Sequence, residues 1–361
     1  NPEFVGEYLH WNHEILDGPP NKRHRFEAPN DIGAPFYPLL GCYSSNDPGT
    51  VAQHMQWISQ SGAGVVVVSW YPHSVADEQN KNHPGFQDRN IPLILNASQA
   101  AGLEVAFHIE PYPGRTPAST VDNVRYLRSE YGSHPAFYAI DGLPVVYVYD
   151  SYLNKPHEWR AYLAPNGQHS VRGSNADAIY IGLPVTEEDM NGIAAGSWDG
   201  FYTYFATDGF TYPSTQKYWP ELAAFAQANQ LRLSISLGPG YSDLKIRPWN
   251  PVNQRSRQDG EYYQRAWSAA TKALSALSSP ASSSFVSLTS FNEWHEGTQL
   301  EPVMGEKPGF EVYPHPMYYL EATAQYIARY LQNGKDEDED EGVKVKQTVS
   351  DSVNDTTTAQ A

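Results

Sequence analysis

From residue 50 onward the chain alternates between two kinds of segment. Stretches with helical spacing of apolar residues (50–62, 91–101, 121–131) are each followed by a short apolar run with no internal alternation (64–70, 103–109, 143–149). A strand with one wet face alternates in polarity, whereas a run such as Val65-Val66-Val67-Val68 fits a strand covered on both faces. Further strands are expected at 177–182, 200–204, 231–237 and 284–291, and helices near 154–163, 187–195, 215–229, 259–277 and 316–332. Seven buried strands spaced by helices predict a parallel α/β fold, either doubly wound or a (β/α)8 barrel.

The two ends of the chain break this rhythm. Residues 1–50 carry turn chemistry (Asp17-Gly18-Pro19-Pro20) and clustered rings (His10-Trp11-Asn12-His13, Phe36-Tyr37-Pro38), which read as a long functional loop. Six consecutive acids at 336–341 followed by polar residues cannot bury enough surface to order themselves. The expected organisation is therefore one catalytic domain over 1–332 and a disordered acidic and polar tail over 333–361. Of two glycosylation sequons, Asn96-Ala97-Ser98 falls in a predicted helix and Asn354-Asp355-Thr356 in the tail.

Composition narrows the partners. The formal charge is −17, from 41 acids against 24 basic residues, so nucleic acid is disfavoured as a ligand. The lone Cys42 excludes an intrachain disulfide framework and a cysteine-based zinc site. No apolar run approaches the length of a membrane span, and a membrane anchor or targeting segment would have to lie upstream of Asn1. Nine Trp and 25 Tyr exceed packing needs, and such rings suit stacking on sugar faces. A monomer is expected.

In either parallel architecture ligands gather at the carboxyl ends of the strands. Those ends are Trp70-Tyr71-Pro72, His108-Ile109-Glu110, Tyr149-Asp150, Tyr202-Thr203-Tyr204, Gly238-Pro239-Gly240-Tyr241 and Asn292-Glu293-Trp294-His295-Glu296. Nearly all finish in an aromatic or ionisable residue. Gly238-Pro239-Gly240 lacks a third glycine and a following helix, so dinucleotide binding is improbable. Glu293 and Glu296 are a candidate acid/base pair of the kind glycoside hydrolysis uses, with Trp294 as an apolar wall. Two solvated acids favoured by a helix dipole would have the same spacing. A zinc-protease helix is excluded, because the residue four after His295 is Gln299.

Taken in order, these blocks resemble glycoside hydrolase family 99, the endo-α-1,2-mannosidases. The likeness runs from residue 1 to about 331. It also includes Asp31-Ile32-Gly33, His134-Pro135-Ala136-Phe137-Tyr138, Arg247-Pro248-Trp249-Asn250 and the stretch from Ser290 to Gln299. The resemblance implies a (β/α)8 TIM barrel and a retaining, endo-acting hydrolase that uses neither metal nor cofactor. Its substrate would be an α-1,2-mannosidic oligosaccharide: a glucosylated high-mannose N-glycan in the Golgi lumen or secretory pathway, or a mannan. The family's proposed route has one carboxylate deprotonate the sugar 2-hydroxyl, which attacks C1 to give a 1,2-anhydro sugar, while the other protonates the leaving oxygen. By resemblance Glu293 is the base and Glu296 the general acid, later the base that activates water.

The likeness also implies that Trp70 stacks on a neighbouring sugar and that His108 and Glu110 bond sugar hydroxyls. Tyr204 would sit beside the acid pair, Arg247 would contact substrate or hold its loop, and His295 would position substrate or water or serve a structural role. The loop over 75–88 would shape the outer sugar sites. Family members begin the barrel with an aromatic-rich strand ahead of Asn1-Pro2, so by this comparison the first strand is missing from the chain, in agreement with the count of seven. The Ser/Ala-rich segment 275–284 looks like a surface insertion. A catalytically impaired glycan-binding barrel and a glycosidase with a covalent intermediate on Glu293 are the competing expectations.

Overall fold

The structure is a computed structural model in which residues 2–15, 25–75, 83–278 and 284–338 are described. Their elements, in order, are α1 (Pro2–Val5), α2 (Pro48–Gln60), β1 (Val65–Trp70), α3 (Phe86–Ala100), β2 (Glu104–Ile109), α4 (Pro117–Tyr131), β3 (Ala139–Ile140), β4 (Leu143–Val148), α5 (Pro156–Leu163), β5 (Ile179–Gly182), α6 (Glu187–Ala195), β6 (Gly200–Tyr202), α7 (Trp219–Asn229), β7 (Arg232–Leu237), α8 (Glu261–Leu274), β8 (Phe285–Leu288) and α9 (Tyr318–Asp338). The expected tail start at 333 falls within α9; residues 339–361, with the Asn354 sequon, lie outside the described residues, as do 76–82 and 279–283.

Seven strands pair in parallel in the order β1-β2-β4-β5-β6-β7-β8, while β3 folds antiparallel onto the start of β4. The parallel strands follow chain order without a reversal point, which excludes the doubly wound alternative and leaves a curled barrel-like sheet. Helices α3 and α9 both pack against α2, so the helical layer continues behind the two ends of the sheet. Strands β4 to β7 are almost wholly buried, as their unbroken apolar runs require. The expectation that β1 is covered on both faces does not hold: it and β8 are the end strands, and Val67 is 38% exposed.

Local chemistry sets the helix starts. Asp47 caps α2 by accepting from the Gly49 amide with Pro48 in the first turn, and Thr116 and Thr186 form capping boxes on α4 and α6. Helix α3 begins at Phe86, earlier than the expected 91, and carries Pro92 inside it. Proline leaves the carbonyl four residues back without its helical partner. That carbonyl belongs to Asp88, and the Tyr131 hydroxyl of α4, which donates to the Asp88 carboxylate at 2.9 Å, lies 3.3 Å from it.

Residues 25–47 are a packed segment with few regular elements. Ile32, Ala34, Phe36, Tyr37 and Tyr43 are buried in the core, and single bridges tie Phe36 to Glu311 and Pro38 to Val303. With Trp11, this segment forms the wall behind the turn that follows β8.

Candidate active site

The chain leaves β8 and turns back within a dozen residues. The amides of Leu300 and Glu301 donate to the Phe291 carbonyl at 3.0 and 2.9 Å, and the Thr298 amide to that of Glu293 at 3.3 Å. Trp294 is buried in the loop, while Glu293 faces solvent at the cleft floor and Glu296 is half-buried. Both acids therefore sit at the tip of a loop closed by its own hydrogen bonds.

Their environments differ. Glu293 is raised from 4.5 to about 8, first because surrounding protein strips hydration from its charged form and second because Glu296 repels it. The His295 amide and Arg247 oppose that shift. Burial raises Glu296 as well, but Arg247 draws it back, donating to Oε1 at 3.0 Å. For Arg247 itself, burial would lower the pKa, and the charge and hydrogen bond of Glu296 together with Tyr241 and Asp243 more than offset it. Adjoining carboxylates resist ionising together, so the pair titrates as a unit and holds one acid and one base when it shares one proton.

Arg247 is fixed from behind. Asp243 is fully buried, and its carboxylate accepts from Arg247 (3.2 Å), Tyr241 (3.0 Å), Asn250 (2.9 Å) and Gln254 (3.0 Å). Four donors satisfy a carboxylate that would otherwise be costly to bury. The close packing of strand exits underneath requires Gly238, where a Cβ would lie 2.2 Å from that of Ala206.

Across the cleft the exits of β2 and β6 form a hydrogen-bonded wall. His108 Nδ1 lies 2.6 Å from Glu110 Oε1 and its Nε2 2.7 Å from the Tyr202 hydroxyl, so both ring nitrogens are engaged by protein. Ser69 donates to the same Glu110 oxygen at 2.6 Å, leaving Oε2 without a partner among the described residues. Tyr204 stacks on His108 and meets Tyr149 edge-on, and burial together with Glu296 holds its hydroxyl well above the usual phenol range. A cavity of about 310 Å³ opens beside Glu296, lined by Tyr149, Tyr204, Tyr241, Arg247 and Asn250, with the half-exposed rings of Phe210 and Trp249 at its mouth. Paired acids, a fixed guanidinium and open aromatic faces suit acid/base chemistry on a sugar.

The model of the family described as "Glycosyl hydrolase family 99" matches residues 1–332. The chain belongs to glycosyl hydrolase family 99. It is a glycosidase. Among curated relatives it is 42% identical to rat glycoprotein endo-alpha-1,2-mannosidase, covering 91% of this chain and 72% of that one. It is 43% identical to the Xenopus laevis protein of the same name, covering 92% and 75% respectively. A solved GH99 endo-alpha-mannosidase from Bacteroides thetaiotaomicron superposes with a TM-score of 0.83 at 38% identity, over 93% of this chain and 95% of that one.

Within this family 99 fold the structure brings Glu293, Glu296, Arg247, Tyr204, His108 and Glu110 to one cleft. It does not bring Trp70 there. That side chain is fully buried, with its indole N–H donating to Asp88 at 2.9 Å and its ring stacked on Tyr126, so no face is open to a sugar. The sequence places Trp70 at a strand end, but not which way the last residue turns. Trp70→Phe, which leaves one of the donors to buried Asp88 unreplaced, is expected to cost about 1–3 kcal/mol in a denaturant melt and to leave KM unchanged. His295 is buried against the rings of His13 and Trp11, as a structural role would have it, and burial with the nearby histidines keeps it neutral. Its place is in the wall behind the acids. Sequence reasoning missed Asp243, whose only signal is an acid two residues beyond the Gly240-Tyr241 strand exit.

Proposed function

We propose that this family 99 glycosidase is an endo-acting mannosidase that cuts internal α-1,2-mannosidic bonds of high-mannose glycans. The observation that carries the reading is the acid pair on one loop, with Glu296 held by an Arg247 that Asp243 fixes in place. The names of the rat and frog relatives support the bond type. N-glycans are the preferred substrate class, and the secretory pathway, with the Golgi lumen as the site, is the proposed location; the word glycoprotein in the names of the two relatives supports the first and their animal source the second. No helix among the described residues is long and apolar enough to cross a membrane.

Glu293 takes the proton of the 2-hydroxyl, and that oxygen attacks C1. The C1–O bond to the leaving sugar breaks as Glu296 gives its proton to the departing oxygen. Glu296, now ionised, deprotonates a water that opens the 1,2-anhydro ring at C1, and Glu293 returns its proton to O2. Each turnover restores one proton on the pair. Glu110 supplies a free carboxylate oxygen to a sugar hydroxyl, while His108, engaged on both nitrogens, orients Glu110 and Tyr202. Residues 1–332 act as a single catalytic domain and a monomer, in a (β/α)8 barrel.

Incubation with a glucosylated α-1,2-linked mannose oligosaccharide is expected to release a disaccharide or longer fragment from within the chain, identified by mass. Release of single terminal mannoses only, or binding without cleavage, would refute the proposal, the second outcome favouring a glycan-binding barrel. The rate is expected to fall above pH about 8, as the pair loses its remaining proton.

A further inference from the structure

Beneath the acid pair lies a second buried carboxyl group. Glu301 is fully buried, and its Oε2 accepts from the Tyr43 hydroxyl at 2.7 Å and from the Trp294 indole at 3.1 Å. His54 Nε2, from α2, lies 3.1 Å from Oε1. Tyr43 also receives the Trp294 indole N–H at 3.0 Å and the Asn292 amide at 3.4 Å. Asn292 and Trp294 are the two residues that flank Glu293 in the chain.

We infer that Glu301 is a positioning residue for the acid pair, clamping the loop that carries Glu293 and Glu296 through Trp294 and Tyr43. The inference rests on reading those two glutamates as the reacting acids. A loop tip exposed to solvent has no intrinsic stiffness, and a misplacement of about 1 Å at a reacting group can cost about a hundredfold in rate. Here two segments distant in sequence converge on this loop, Tyr43 bonding Trp294 directly and His54 reaching it through Glu301. Tyr43 comes from the N-terminal segment, His54 from α2, and Glu301 closes the loop's base with its own amide on Phe291. The His54 ring packs against Tyr43 and Phe291, so the clamp is closed on both sides.

A fold-only role and a positioning role separate in the kinetics of folded protein. Glu301→Leu removes the acceptor and is expected to lower kcat about 100-fold with KM within about twofold. Glu301→Gln keeps an oxygen toward Tyr43 and Trp294, and its NH2 can face His54 in the other tautomer, so it is expected to restore kcat to within about fivefold of wild type. Tyr43→Phe cuts the link to Asn292 and should fall between, at about 10-fold; it decides the matter if Glu301→Leu does not fold. Wild-type kcat in folded Tyr43→Phe and Glu301→Leu, or a rise in KM alone, would overturn the inference. Glu293→Gln and Glu296→Gln run alongside: if they stay active, the reading of the acids fails, whereas if they are inactive and the clamp variants are not, only the clamp fails.

Discussion

Glu296→Gln is expected to lower turnover of an α-1,2-linked mannose oligosaccharide about a thousandfold, equivalent to about 4 kcal/mol of lost transition-state stabilisation. Turnover of an aryl mannoside with a strongly acidic leaving group should fall far less, because such a group departs without a proton. The split between the two substrates identifies the acid, which a plain loss of activity does not. It matters because the charges of the free site place the shared proton first on Glu293, raised to about 8, while Arg247 favours the ionised form of Glu296. The proposed roles need the opposite distribution at the moment of cleavage. One proton on the pair satisfies both statements, and the approach of the glycosidic oxygen to Glu296 and of the 2-hydroxyl to Glu293 selects the reactive arrangement. If leaving-group acidity instead rescues Glu293→Gln, the roles are reversed.

The strand positions and the place of the two acids at a strand exit were legible because each follows from a local rule, whereas the strand order, which separates a barrel from a doubly wound sheet, was not. Val145, Val146 and Val148 need cover on both faces wherever they sit, and β4 to β7 received it. The same rule failed at β1, where Val67 has the same composition around it but an end position in the sheet, a property of the assembled fold. Trp70 failed for a related reason: a strand end places a residue near the cleft, and only packing against Asp88 and Tyr126 decides that the ring points outward into the helical layer. Asp243 and Glu301 carry no periodicity at all. Each looks like an ordinary loop acid until burial and the donors around it are known, and each turns out to hold a partner of the reacting pair. Pro92 shows the reverse case, a helix breaker tolerated inside α3, with the Tyr131 hydroxyl 3.3 Å from the stranded carbonyl.

Glu293→Gln should abolish turnover of both substrates, by about 10⁴-fold, since no leaving group compensates for a base that fails to take the 2-hydroxyl proton. The same change should stabilise the fold. Because the folded-state pKa of Glu293 lies above its ordinary value of 4.5, its proton is bound more tightly in the native protein. That contribution is full below pH 4.5 and is lost as pH rises through about 8, where an ionised Glu293, open to solvent but walled in by surrounding protein, faces Glu296. Glutamine has no proton to lose. Thermal melts of the variant should therefore match wild type below pH 4.5 and lie above it beyond pH 8, with the gap opening between those limits. An inactive variant that is also more stable marks a group kept for chemistry at the expense of folding. Equal melting temperatures across the range would mean that the cleft hydrates Glu293 as fully as bulk water does, and the like-charge account of the pair would then have to be abandoned.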